Sequence, residues 1–167
     1  MTICARQEVE TAFSGFPSGV AALTAVIDGE PVGFVSTSFT VGISFDPPQV
    51  LFSVKQSSRT WPVLRRAERI GVSVLASGQE ETCRQLASRS RDRFAGLDVL
   101  AGDGGALFVA GSALRLECRV HAEHESGDHI LVVLGVERME SIADAEPLVY
   151  HRRTFRQMLA APQRNIA

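Results

Sequence analysis

Leu114, Leu116, Cys118, Val120 and Ala122 alternate without a break with Arg115, Glu117, Arg119, His121 and Glu123. A period of two marks a strand with one face on a core and the other in water, because successive side chains leave opposite sides of the pleat. After Glu125-Ser126-Gly127-Asp128, a turn-forming group, the chain runs apolar again over residues 130–136. The segment therefore predicts a hairpin and commits a long stretch of the chain to β structure.

The remaining β-type runs are short. VAALTAVI (20–27) stops at the turn pair Asp28-Gly29 and resumes over residues 31–36, which predicts a second hairpin. Residues 50–55 and 70–75 are β-branched runs of the buried-strand kind. Helical signals are few. Ser77-Gly78-Gln79-Glu80 has the S-x-x-E spacing of a capping box, and Cys83, Leu86 and Ala87 form one apolar face behind it. Ser58 or Thr60 can cap a short helix through Leu64, with Pro62 in its first turn, and residues 8–13 can form another. The glycine-rich patch at 102–105 reads as a surface loop. Short strands, tight turns and isolated helices predict a mainly β fold, a barrel or sandwich with a few short helices. There is no internal repeat, low-complexity stretch or linker. The expectation is one domain, 1–167, long enough to bury a real core.

Composition acts mostly by exclusion. A net charge of −2 gives no basic footprint for nucleic acid or an anionic membrane. No apolar run approaches the ~20 residues of a membrane span. MTICARQEVE lacks the basic start and apolar core of a signal peptide. Cys4, Cys83 and Cys118 are odd in number, far apart and outside any CxxC pair, which argues for a reducing compartment, the cytoplasm. GDGGAL at 102–107 is not GxGxxG, GxxxxGK[ST] is missing, and GFPSG at 15–19 sets Ser18 one place late for a nucleophile elbow. His124 and His129 lie in the predicted hairpin without a further ligand cluster, so no metal is expected.

Chemistry concentrates in residues 33–62, GFVSTSFTVGISFDPPQVLFSVKQSSRTWP. Ser36, Thr37, Ser38 and Thr40 stand before a Pro-Pro corner; Ser57, Ser58 and Thr60 stand after it. Small hydroxyl side chains leave backbone N–H groups reachable, as a planar ligand rich in carbonyls with a phosphate tail requires. The same residues also serve as turn and cap residues.

In order along the chain come FPSGVAALTA (16–25), GFVSTSFTVGISFDPPQVLF (33–52), SSRTWPVL (57–64), RIGVSVLASGQEE (69–81), RDRFAG (91–96), ECRVHAEHESGDHILVVLGV (117–136) and PLVYHRRTFR (147–156). This set resembles the short-chain flavin reductases, the reductase components of two-component flavin-dependent monooxygenases, over about residues 13–157. The resemblance implies a Greek-key split β-barrel, usually a homodimer, that binds FMN or FAD near the subunit interface and reduces it with NADH or NADPH. It places Val35, Ser36, Thr37, Ser38 and Phe39 along the isoalloxazine, with backbone N–H groups facing its carbonyl oxygens and N5. Ser53, Val54 and Lys55 form the next strand. Ser57, Ser58 and Thr60 hold the phosphate at a helix start, and Arg93 and Phe94 lie near the flavin tail. His129, with Tyr150, His151 and Arg152, borders the nicotinamide pocket. Val35 and Lys55 depart from the family's frequent Thr and Asn.

What the resemblance implies is an NAD(P)H:flavin oxidoreductase that supplies reduced flavin to a partner monooxygenase. A flavin-binding electron carrier without turnover is the alternative, and a cofactor-free barrel subunit is a third. Without the resemblance, Trp61 is a core or interface anchor, Arg89, Arg91 and Arg93 are a charged helix end, and His129 is a solvated hairpin residue.

Overall fold

The alternating segment is a strand, Leu114–Ser126, paired antiparallel with His129–Ser141 across the Gly127-Asp128 turn. The computed structural model describes residues 5–90 and 92–158; Cys4 and Arg91 lie outside them. In chain order these residues form α1 (Arg6–Ser14), β1 (Ser18–Gly19), β2 (Ala21–Ile27), β3 (Glu30–Ser36), β4 (Thr40–Phe45), β5 (Pro48–Lys55), α2 (Trp61–Leu64), β6 (Ile70–Val74), α3 (Glu80–Leu86), β7 (Val99–Ala101), β8 (Leu107–Val109), β9 (Leu114–Ser126), β10 (His129–Ser141), β11 (Val149–His151) and β12 (Thr154–Arg156). The mainly β expectation holds.

Seven strands make one antiparallel sheet in the order β3-β2-β6-β9-β10-β5-β4. It curls until β3 returns against β5, where Phe34 and Phe52 meet at 6.0 Å. No ladder joins these strands; side chains close the seam, as in a split barrel. Asp28 (φ 53°) and Gly29 (φ 86°) both take the left-handed conformation of a two-residue hairpin, joining β2 to β3 as expected. Inside the barrel lie Leu23, Phe52, Trp61, Leu64, Ile70, Val72, Cys118, Val132 and Leu134. Each fully buried leucine here contributes roughly 2 kcal/mol of burial. A second core, Val20, Ala22, Leu75, Cys83, Leu86, Val109 and Leu148, fills the space under α3 and β8. β2 serves both cores, so its run is apolar without alternation. Gly71 lets β8 cross directly over β6: a Cβ there would strike the Leu107 carbonyl.

Three local readings change. The Ser77 capping box does not form. Gln79 is the N-cap of α3, and its side-chain amide accepts from Ala76 N (2.8 Å) and donates to the Ala110 carbonyl (2.7 Å), tying the helix start to two loops. The 102–105 patch is the tight turn of the β7–β8 hairpin, where Arg69 N donates to the Gly104 carbonyl. The alternation of β9 breaks at a bulge. Leu134 faces Val120 but Val133 faces Ala122, so His121 is the extra residue. Beyond the bulge the faces exchange, and Glu123 points into the barrel mouth, where it meets Trp61 and Arg65.

Candidate functional site

The hydroxyl clusters flank the barrel seam. Ser36 is buried and its hydroxyl lies 2.9 Å from that of Ser38. Ser38 Oγ accepts from Ser53 N (2.9 Å) and donates to the Ser53 carbonyl (3.0 Å), so one side chain occupies the β5 edge that a strand would otherwise pair. These hydroxyls are engaged by the protein itself. Thr37 is exposed. Val35 packs on the second core together with Phe94 and Tyr150, and Phe39 packs on the barrel core. Val54 is buried in the barrel, so only its backbone faces the site.

Ser53 and Lys55 share the outer face of β5, opposite Leu131 and His129 of β10. His129 is half-buried, its Nδ1 2.7 Å from Asp128 Oδ1. That hydrogen bond holds the Asp128 carboxyl below the usual carboxylate range, and Arg6 of α1 adds to the effect. Glu10 of the same helix is lowered first by its bond to Arg6 and also by the charges of Arg153 and Lys55. Helix α1 thus reaches both the His129 end of the barrel and the turn that follows Arg152. Tyr150, His151 and Arg152 belong to a separate three-stranded sheet, β1-β11-β12. Arg152 occupies its turn at φ 50° and donates its N–H to the Ser14 carbonyl (2.6 Å). Among the described residues no three His, Cys, Asp or Glu side chains are placed to hold a metal ion.

After Lys55 the chain turns at once. Gln56 N donates to the Asp128 carbonyl, Ser58 N to the Lys55 carbonyl, and Ser58 Oγ accepts from Trp61 N (3.1 Å). Ser58 therefore caps the turn, whereas the Thr60 hydroxyl makes no cap bond. It accepts instead from Arg93 Nη1 (3.0 Å). The same Nη1 donates to the Gly33 carbonyl (2.8 Å), and Nε donates to the Ser88 carbonyl (2.7 Å). Gly33 is obligatory in this packing, since a Cβ would lie 2.6 Å from the Leu23 carbonyl oxygen. Among the described residues, the N–H groups of Ser57, Arg59 and Thr60 donate to no protein acceptor. A cleft of about 370 Å³ opens beside them, lined by Gly33, Arg59, Thr60, Asp92, Arg93 and Phe94 among others. One turn of helix carries little dipole, so the positive character of this cleft comes from Arg93 and the unpaired amides.

The structure thus brings together three groups at one end of the barrel: the Ser36–Ser38–Ser53 seam, the Lys55–His129 pair, and the Ser57–Thr60 turn with Arg93. Residues 35–39, 53–60 and 93 fit a flat ligand with an anionic tail, edge donors at the seam and cation plus amides at the turn. Glu123, Gly33 and Asp128, which hold these parts, were not singled out by sequence. All three sit inside quoted motifs, but the bulge hides the inward turn of Glu123.

Residues 13–159 match the flavin reductase like domain. The reductase subunit HsaB of a flavin-dependent monooxygenase from Rhodococcus jostii is 35% identical over 87% of this chain and 74% of that protein. The reductase component of 4-hydroxyphenylacetate 3-monooxygenase from Thermus thermophilus is 32% identical over 92% of this chain and 97% of that one. The NADH:FAD oxidoreductase SgcE6 of Streptomyces globisporus, solved in complex with NAD and FAD fragments, superposes with a TM-score of 0.89 at 30% identity, covering 98% of this chain and all of that one.

Proposed function

The chain belongs to the flavin reductase like domain family, and from that premise we propose that it is an NAD(P)H-dependent flavin reductase supplying reduced FMN or FAD to a partner monooxygenase. The observation that carries the reading is the three-part site at one end of the barrel, joined to relatives that are reductase components of monooxygenases. Bound flavin and nicotinamide supply the hydride chemistry between them, from C4 of one to N5 of the other.

The protein's residues orient and stabilise. Backbone N–H groups along residues 35–39, apart from the Ser38 N–H taken by Ser36, face the ring edge, where negative charge grows on reduction, with residues 53–55 as the next strand. Arg93, the amides of Ser57, Arg59 and Thr60, and the Thr60 hydroxyl hold the phosphate tail. His129, oriented by Asp128 through Nδ1, borders the second ligand beside Lys55, with Tyr150, His151 and Arg152 on the neighbouring sheet. Holding two reactants in register accounts for most of the rate gain such a site can give.

A homodimer forms part of the proposal. Strand β4 is a sheet edge with Val41, Ile43 and Phe45 exposed at 57%, 42% and 86%. A long apolar edge of that kind invites pairing with a second copy. No helix is long and apolar enough to cross a membrane among the described residues.

Steady-state oxidation of NADH and NADPH with FMN or FAD added tests the activity; flavin-stimulated turnover is expected, and its absence would overturn the reading. His129→Ala is expected to slow hydride transfer by about tenfold or more while leaving flavin affinity within twofold. Unchanged transfer kinetics would remove His129 from the site.

A further inference from the structure

The carboxylate of Glu123 grips the phosphate turn from inside the barrel mouth. Its Oε1 accepts from Trp61 Nε1 at 2.9 Å, and its Oε2 lies 2.9 Å from Arg65 Nη2. Trp61 and Arg65 stand four residues apart, at the first position and the C-cap of α2, so one carboxylate spans the whole helical turn with one oxygen on each end. Trp61 is 2% exposed and Glu123's side chain 19%, so the Trp61 bond is closed to ready replacement by water, while Arg65, its side chain 49% exposed, holds the other oxygen at the solvent edge. Trp61 also packs edge-on against Phe52 at 5.2 Å, which ties the turn to the strand bearing Ser53 and Lys55. Thr60, immediately before Trp61, presents its hydroxyl to Arg93. Glu123 reaches this place only because the bulge at His121 turns it off the wet face of β9.

We propose that Glu123 is a positioning residue for binding the flavin phosphate. It touches no ligand. It fixes the orientation of the Trp61–Arg65 turn, and with it the amides of Ser57, Arg59 and Thr60 and the Thr60–Arg93 pair that receive the anion. The inference rests on the reading of residues 57–60 and Arg93 as the phosphate site.

The test compares FMN with riboflavin, which has the same ring and no phosphate, by titration followed through the flavin's own fluorescence, which also serves variants that lack Trp61, the chain's only tryptophan. Glu123→Gln keeps size and one acceptor but sets an amide against Arg65. It is expected to raise the FMN dissociation constant about fivefold, as losing one charged hydrogen bond's worth of order does, with riboflavin affinity and turnover at saturating FMN within twofold. Trp61→Phe keeps the ring and removes the N–H, and should shift the same ratio by less. The double variant should lose both bonds of the grip, to Arg65 and to Trp61, and shift the ratio further than either single change. A Glu123→Gln protein that binds FMN and riboflavin equally weakened, or that differs from the parent only in melting temperature, would overturn the proposal. Thr60→Ala separates the two levels. If it lowers the FMN preference and Glu123→Gln does not, the phosphate site stands and Glu123's role falls. If the parent shows no preference for FMN over riboflavin, both fall.

Discussion

Arg93 and Arg69 are both drawn into the protein, yet their partners differ in kind. Arg93 meets the carbonyls of Gly33 and Ser88 and the Thr60 hydroxyl, none of them charged. Arg69 meets Glu117 and Glu137 (3.0 Å), with Asp103 at 3.8 Å. Neutral oxygens orient a guanidinium while leaving its charge in place, whereas carboxylates cancel it. The hydrogen bond that Arg69 donates to Glu117 accordingly pushes Arg69 above its ordinary value. Around it the pattern continues outward, Arg138 to Asp103 (2.6 Å), Arg119 to Glu137 (2.6 Å) and to Glu68 (2.9 Å), so the network closes on itself. One arginine remains able to receive an anion beside an open cleft. The other is a clamp between β6, the β7–β8 turn, β9 and β10. Burial alone would have ranked the two alike; the charge of the partners separates function from structure.

The largest expected effect breaks the clamp. Glu117 is 5% exposed, and Glu117→Gln leaves Arg69 without its nearest counter-charge. Removing one partner of a buried pair should lower the melting temperature by roughly 10 °C, with turnover at a permissive temperature unchanged, measured by calorimetry and NADH oxidation. If flavin affinity fell and the melting point held, the two arginines would have been assigned the wrong way round. Next in size, Arg93→Ala should weaken FMN binding about 30-fold, as losing a charge-assisted contact does, with riboflavin within twofold. Arg93→Lys should not restore it, because one ammonium cannot reproduce the fork that reaches Gly33, Ser88 and Thr60 together.

Sequence revealed these regions unequally, for physical reasons. Both hairpins were legible because Asp28-Gly29 and Gly127-Asp128 supply turn chemistry between apolar runs. The second hydroxyl cluster was legible as a polar site, although Thr60 turned out to serve Arg93 rather than the cap. What could not be seen depends on partners distant along the chain. A bulge is a relation between two strands, so nothing in β9 by itself marks His121 as extra or Glu123 as inward. Glu117 reads as wet by its alternation and is buried because Arg69 and the β7–β8 hairpin cover it. The bonds that join the Ser36 and Ser38 hydroxyls to each other and Ser38 to Ser53 depend on the curl of the sheet, which no local pattern announces. The resemblance named Arg93 and Thr60 separately, and their pairing was not foreseen, since no spacing rule connects residues so far apart.

The smallest expected effect probes the field behind the clamp. Cys118 lies on the inner face of β9, beneath Glu117 and near Glu137, and burial together with these two carboxylates pushes its thiol up to about 12. Cys83, on the buried face of α3, is raised to about 11 by burial alone, with Arg84 opposing. An ordinary thiol here titrates at 9.0, so above that pH the unfolded chain loses thiol protons that the folded one keeps. The stability each buried thiol contributes is complete below pH 9 and declines as pH rises, through about 11 for Cys83 and about 12 for Cys118. Melting temperature followed from pH 8 upward should therefore fall along a slope that Cys118→Ser reduces. Glu137→Gln removes one of the carboxylates that hold the Cys118 thiol protonated, so the Cys118 part of that slope should end at a lower pH while the Cys83 part stays put. An unchanged slope in Glu137→Gln would mean that Arg69 and Arg119 already cancel the carboxylate field at Cys118. The clamp would then be neutral even toward the core behind it, and the contrast with Arg93 sharper still.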